Sequence, residues 1–168
     1  AGNVIGGGDW SEDRLIPDAM RAWQADGELH VRHPDAVRPW QHVLEPLAGY
    51  LTLARRTFDD PALAGAYNFG PSASAIATVR DVVSLAHGLF GRGTVAFAEA
   101  PSGPREAPWL SLDASKATSL LGASPRWNLR ESIDRTMQWY KRFDGHAPAA
   151  KLCHADICLL YTSDAADD

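Results

Sequence analysis

The chain has 168 residues, is 45% hydrophobic and 22% charged, and carries a formal net charge of −5. That is room for one domain with a real core. The acidic balance argues against broad nucleic-acid binding, which needs a basic face. No apolar run approaches the length of a bilayer span. The opening AGNVIGGG has neither the basic start nor the apolar stretch of a signal peptide. Two cysteines, Cys153 and Cys158, imply no disulfide framework and fit a reducing cytoplasm, the expected location.

In chain order, Ala1 to Gly6 reads as the end of a strand running into a glycine-rich loop. Residues 14–26 are predicted helical, with Leu15, Ile16, Ala19, Met20 and Trp23 at helical spacing. Leu29 to Arg32 alternates as a short strand, and Trp40 to Val43 is a second extended piece. From Leu44 a helix stripe runs through Leu47, Leu51, Ala54 and Phe58. Ala66 to Phe69 is a strand candidate ended by Gly70-Pro71. Thr78 and Asp81 form a capping-box pattern before a helix bearing Val79, Val82, Val83, Ala86, Leu89 and Phe90. Thr94–Ala98 and Trp109–Leu112 are further strand candidates. Asp113 is placed to cap a short helix through Leu121 that Gly122 ends. Asn128 and Glu131 open a last helix carrying Leu129, Ile133, Met137 and Tyr140. The strands are too short to build a full sheet, so they are expected to extend a sheet whose main part lies elsewhere.

Both ends carry further expectations. The sequence begins inside a pattern and without Met, which implies coding sequence upstream. After Lys151 the helical periodicity and charge pattern are expected to stop. Residues 158–168, CLLYTSDAADD, back-translate to a transposase adapter used in preparing sequencing libraries. They are read as adapter read-through rather than native sequence, and residues 144–157 as a junction.

The motifs taken as residue types leave alternatives open. Gly6-Gly7-Gly8 lets backbone approach a phosphate, but Ser11 stands where the dinucleotide fingerprint needs its third glycine. The Walker lysine is also missing, and a sharp bend at a strand end reads better. Arg38 in RPWQHV is either a bidentate phosphate clamp or a surface arginine stacked on Trp40. Asn68, between Tyr67 and Phe69, is a ligand-orienting or a structural amide. His30 and His33 lack the carboxylate partners of a metal site, so no metal is expected. No triad order or paired-carboxylate spacing marks a catalytic centre.

Four segments together go further. NVIGGGDW followed by DRLIP, then RPWQHV, YNFGP and LDASK, resemble in order the extended short-chain dehydrogenase/reductase superfamily. Within it the wording looks like the CDP-glucose 4,6-dehydratases over residues 1–143. The resemblance implies an α/β fold: a Rossmann-type NAD-binding domain plus a C-terminal nucleotide-sugar-binding part, of which this chain is the latter, with the main NAD-binding sheet missing. The family's glycine fingerprint and Tyr-x-x-x-Lys pair fall upstream of Ala1, so no catalytic or cofactor-binding residue is expected here. The implied reaction is an internal redox cycle on CDP-glucose or a related nucleotide sugar. NAD takes hydride from C4, water leaves across C5 and C6, and hydride returns at C6.

By position the resemblance assigns Asn3 to the sugar and diphosphate, and Arg14 and Leu15 to the diphosphate and nucleoside. Val31 to His33 fall beside the base, Arg38 at the diphosphate and Asn68 in the nucleotide pocket. Thymidine-nucleotide enzymes carry an arginine shortly before the equivalent of Asp113; that place is filled here by Trp109, with Arg105 offset and Glu106 further back, and Glu106 resembles the glutamate of the CDP-glucose group. The resemblance also implies homo-oligomerisation of the parent. The competing readings are another NAD-dependent epimerase, dehydratase or decarboxylase of nucleotide sugars, and a non-catalytic nucleotide-sugar-binding piece. In isolation the stripes Leu47, Leu51, Phe58 and Val79, Val83, Phe90 are expected to be exposed and to promote association.

Overall fold

The computed structural model describes residues 1–72, 76–100 and 107–162. Its elements are β1 (Asn3–Ile5), α1 (Leu15–Gln24), β2 (Glu28–Val31), β3 (Val37–Arg38), β4 (Trp40–His42) and α2 (Leu44–Asp59). There follow β5 (Ala77–Thr78), α3 (Val79–Phe90), β6 (Thr94–Phe97), α4 (Ser115–Leu121), α5 (Leu129–Asp144) and α6 (Ala149–Thr162). The strands form three separate pairs. β1 and β4 are parallel with Asn3 opposite Trp40, β2 and β6 are parallel with Glu28 opposite Thr94, and β3 and β5 are antiparallel. Two-stranded pairs this short do not stand alone in water; the helices packed on them supply the stability.

Those helices form where the sequence places them. The Thr78 side chain accepts from the Asp81 amide and the Asp81 carboxylate accepts from the Thr78 amide, starting α3. Asn128 and Glu131 do the same for α5. Gly91, at φ +85°, ends α3 in the left-handed conformation that glycine adopts without cost. The core joins Ile16, Met20 and Trp23 of α1 to Val82, Val83, Ala86 and Phe90 of α3 and to Ile133, Met137 and Tyr140 of α5. Trp23 stacks on Phe90 at 5.9 Å, and its indole N–H donates to the Thr94 carbonyl at 3.1 Å, tying α1 to β6.

Four expectations are corrected. Ala66–Phe69 is not a strand. Among the described residues no strand pairs with it, and side chains take its carbonyls instead: Lys116 Nζ donates to Ala66 O and Gln41 Nε2 to Phe69 O. Trp109–Leu112 shrinks to a single bridge between Trp109 and Val37. The α3 stripe expected to be exposed is buried, with Val83 and Phe90 in the core, because α5 covers it. Finally, helical structure does not stop after Lys151: α6 runs to Thr162 and buries Leu152 and Leu160. An apolar, helix-forming string settles on an available apolar surface whatever its origin.

The α2 stripe is exposed as expected. Leu51 is 64% and Phe58 89% exposed, while the buried positions of α2 are Glu45, Pro46 and Gly49. At Gly49 the helix lies so close to Phe69 that an added Cβ would sit 2.3 Å from the ring.

Candidate functional site

Where β1 ends, α1 begins and β2 emerges, the surface folds into a groove of about 710 Å³. β1 contributes Asn3, Val4 and Ile5, and the loop behind it contributes Gly6, Asp9, Ser11 and Asp13. The first turn of α1 contributes Arg14, Leu15 and Ile16, and β2 with its following residues contributes His30, Val31, Arg32 and His33. Trp40 and Val79, with Gly2, Pro17, Asp18 and Leu29, complete it. The size is that of a small-molecule or cofactor site.

Each contributor is fixed by its element. Asn3 is held by its amide, which donates to the Pro39 carbonyl at 3.1 Å. Asp13 takes φ +57°, a left-handed turn that Asp tolerates better than most residues. That turn delivers Arg14 in extended conformation to the N-cap of α1, where its side chain makes no capping hydrogen bond. The N-terminal turn of a helix favours anions through its free amides and its dipole. Arg14 and Arg32 add positive charge to the groove, and Asp9, Asp13 and Asp18 add negative charge. Val31 is buried at the floor, and Leu15 packs against the same core.

Six of the nine residues assigned by resemblance, Asn3, Arg14, Leu15 and Val31 to His33, therefore line one groove. Arg38 and Asn68 are not among its lining residues. Arg38 is 9% exposed and donates from Nη1 to the carbonyls of Val37 and Ala107, each at 2.8 Å. Asn68 donates from Nδ2 to the Asp113 carbonyl at 3.2 Å. Glu106 lies outside the described residues. Asp9, Ser11 and Asp13 were not anticipated as lining. The signal for them was Asp9-x-Ser11, a local turn in which the Ser11 amide and hydroxyl both donate to the Asp9 carboxylate, at 3.0 and 2.7 Å.

The glycine-rich loop does not fit a dinucleotide phosphate. A Cβ on Gly7 would lie 2.0 Å from the Trp139 ring, so the close approach that glycine permits is used for an indole. The loop makes a sharp turn at Gly7-Gly8, just beyond the end of β1. Among the described residues no three His, Cys, Asp or Glu side chains gather as a metal site. None of the helices described is long and apolar enough to cross a membrane.

Behind the groove, His42 at the end of β4 is 1% exposed and meets Trp127 edge-on at 4.9 Å. Burial, with the nearby Arg135 charge, lowers its pKa to about 4. It is therefore neutral at pH 7, and its Nδ1 accepts from the Leu44 amide at 3.3 Å, at the start of α2.

Comparison with known proteins follows the same lines. No protein-family profile matches the chain. Over 142 residues, 84% of this chain, it is 44% identical to CDP-glucose 4,6-dehydratase of Salmonella typhimurium. It spans 40% of that protein's length. Among solved structures, UDP-glucuronic acid 4-epimerase from Bacillus cereus, in complex with UDP-glucuronic acid and NAD, superposes with a TM-score of 0.70 at 21% identity. That match covers 84% of this chain and 44% of the epimerase. An epimerase from Methanothermobacter thermautotrophicus superposes with a TM-score of 0.72 at 21% identity, covering 84% of this chain and 41% of that one. The chain thus has the fold of the C-terminal part of the extended short-chain dehydrogenase/reductase epimerases and dehydratases, and its sequence is similar to CDP-glucose 4,6-dehydratase.

Proposed function

We propose that this chain is the nucleotide-sugar-binding part of a CDP-glucose 4,6-dehydratase, and that it binds the substrate without turning it over. The observation that carries the reading is the convergence of Asn3, Arg14, Leu15 and Val31 on one groove. All four lie in the stretch that resembles the dehydratase. The groove combines a helix N-terminus and two guanidinium groups for a diphosphate with an apolar floor at Val31 for the nucleoside. Binding energy gathered there, remote from the sugar's C4, is what a dehydratase converts into positioning.

The parent's product is CDP-4-keto-6-deoxyglucose and its cofactor NAD, held by a half of the enzyme other than residues 1–143. The exposed face of α2, with Leu47, Leu51 and Phe58, is where that half packs. The parent is cytoplasmic and homo-oligomeric, and Glu106, Arg38 and Asn68 complete the nucleotide contacts in it. Residues 158–168 remain proposed adapter read-through and 144–157 a junction. A second reading, part of a UDP-sugar epimerase, is favoured by the solved epimerases of like fold.

Isothermal titration separates the two. CDP-glucose is expected to bind saturably, UDP-glucose about tenfold more weakly, and Arg14→Ala to weaken CDP-glucose by about tenfold, the loss of one charged hydrogen-bond partner. A preference for UDP-glucose selects the epimerase reading. Absence of binding to either removes both.

A further inference from the structure

One wall of the groove is fastened from behind by two side chains that do not line it. Asp9, Trp10 and Ser11 present three successive backbone carbonyls outside any helix or strand. Tyr140 Oη, on α5, donates to the Asp9 carbonyl at 2.6 Å. Arg21, on α1, donates from Nη1 to the Trp10 carbonyl at 3.0 Å and from Nη2 to the Ser11 carbonyl at 3.1 Å. Arg21 is itself held by Asp18, one turn earlier on α1. The Trp10 ring sits edge-on to Tyr140 at 5.3 Å and tilted against Phe143 at 5.9 Å. Tyr140 is fully buried. Burial first, and the Asp9 charge second, raise its pKa well above the usual phenol range, so it remains a donor.

This grip bears on the segment that matters for an anion. Residues 9–11 lead through Glu12 into Asp13, whose left-handed φ is open to Asp at modest cost and is one of several conformations that the chain could take there unless its neighbours are held. Asp13 in turn sets the direction of Arg14 and the entry into α1.

We propose that Tyr140 and Arg21 are positioning residues for the diphosphate of a nucleotide sugar. By gripping the carbonyls of residues 9–11 they hold the Asp13 turn, and with it Arg14, in the geometry that meets the anion. The inference rests on the groove being a nucleotide-sugar site. Ile16 and Met20 of α1 and Ile133 and Met137 of α5 sit in the same buried core without depending on these hydrogen bonds, so their loss falls on binding more than on folding.

Tyr140→Phe keeps the ring and deletes the donor. Thr136→Val is the matched control. It too removes one buried hydroxyl hydrogen bond from α5, that from Thr136 Oγ1 to the Ser132 carbonyl at 2.7 Å, away from the groove. CDP-glucose is titrated calorimetrically into the wild-type chain and each variant, and each melting temperature is recorded. Tyr140→Phe is expected to weaken binding about tenfold, while Thr136→Val leaves it within about twofold at a similar melting temperature. Arg21→Lys weakens binding as Tyr140→Phe does, because an ammonium cannot span two carbonyls as a guanidinium fork does. If the wild type binds and both Tyr140→Phe and Arg21→Lys bind equally well, the positioning role is overturned and the site reading survives. If Thr136→Val weakens binding as much as Tyr140→Phe, the effect is general stability and the inference also falls. If the wild type does not bind, the site reading itself is at fault and takes the inference with it. Should Tyr140→Phe fail to fold, Arg21→Lys, at a half-exposed position, decides alone.

Discussion

Two amphipathic helices of nearly equal promise in the sequence meet opposite fates. On α3 the stripe Val82, Val83, Ala86 and Phe90 is buried against α5. On α2 the stripe Leu47, Leu51 and Phe58 faces outward, and the helix buries Glu45, Pro46 and Gly49 instead. The buried carboxylate is purposeful: Glu45 Oε1 accepts from the amides of Arg126 and Trp127 at 3.0 and 2.8 Å, fixing the approach to α5. An apolar stripe therefore states that a partner exists, but not that the partner is within the same residues. Among the described residues the α3 stripe finds its partner and the Leu47, Leu51 and Phe58 stripe of α2 does not.

The comparison breaks most visibly on the buried side. Trp139→Ala, removing the ring that stacks on Phe143 and meets Gly7, is expected to cost about 3–5 kcal/mol in urea unfolding. A loss below about 1 kcal/mol would deny that α5 organises the core.

The next effect is in pH. His42 has a folded pKa of about 4 against about 6.5 unfolded. Between those values the unfolded chain binds the proton and the folded chain does not. Stability should therefore be full above pH 6.5, fall as pH drops toward 4, and level below that, by up to about 3 kcal/mol. His42→Gln should flatten that slope; an unchanged slope would assign it elsewhere.

Asn128→Ala, which removes the cap of α5, should cost about 1 kcal/mol by the same unfolding measurement. Smallest in stability, and sharpest as a contrast, is the α2 face. Leu51→Ser and Phe58→Ser should change unfolding free energy by less than about 0.5 kcal/mol yet reduce self-association in light scattering. A large stability loss there would mean that the face is already partnered.

What was legible in the sequence follows from locality. Both capping boxes, the glycine stop after Leu121 and the stripes of α1, α3 and α5 depend on residues within a turn or two of one another, and all appear as read. The strand expected at Ala66–Phe69 failed because a strand is defined by a neighbour, and its carbonyls are met by Lys116 and Gln41. The short β3 and β5 carry too few residues to show a period. For the site, Asn3, Arg14, Leu15 and Val31 came from resemblance and the fold brings them together. Asp9 and Asp13 were missed because their role is set by a loop conformation, held by Tyr140 from 131 residues away in sequence.

On the proposed function, the groove between β1, α1 and β2 binds a cytidine nucleotide sugar while the α2 face does not. Titrating CDP-glucose into the isotopically labelled chain, and following its amide resonances, tests this directly. Saturable shifts are expected at Asn3, Leu15 and Val31, with Leu51 and Phe58 unmoved. Shifts confined to α2, or no saturable shift in the groove, would contradict it.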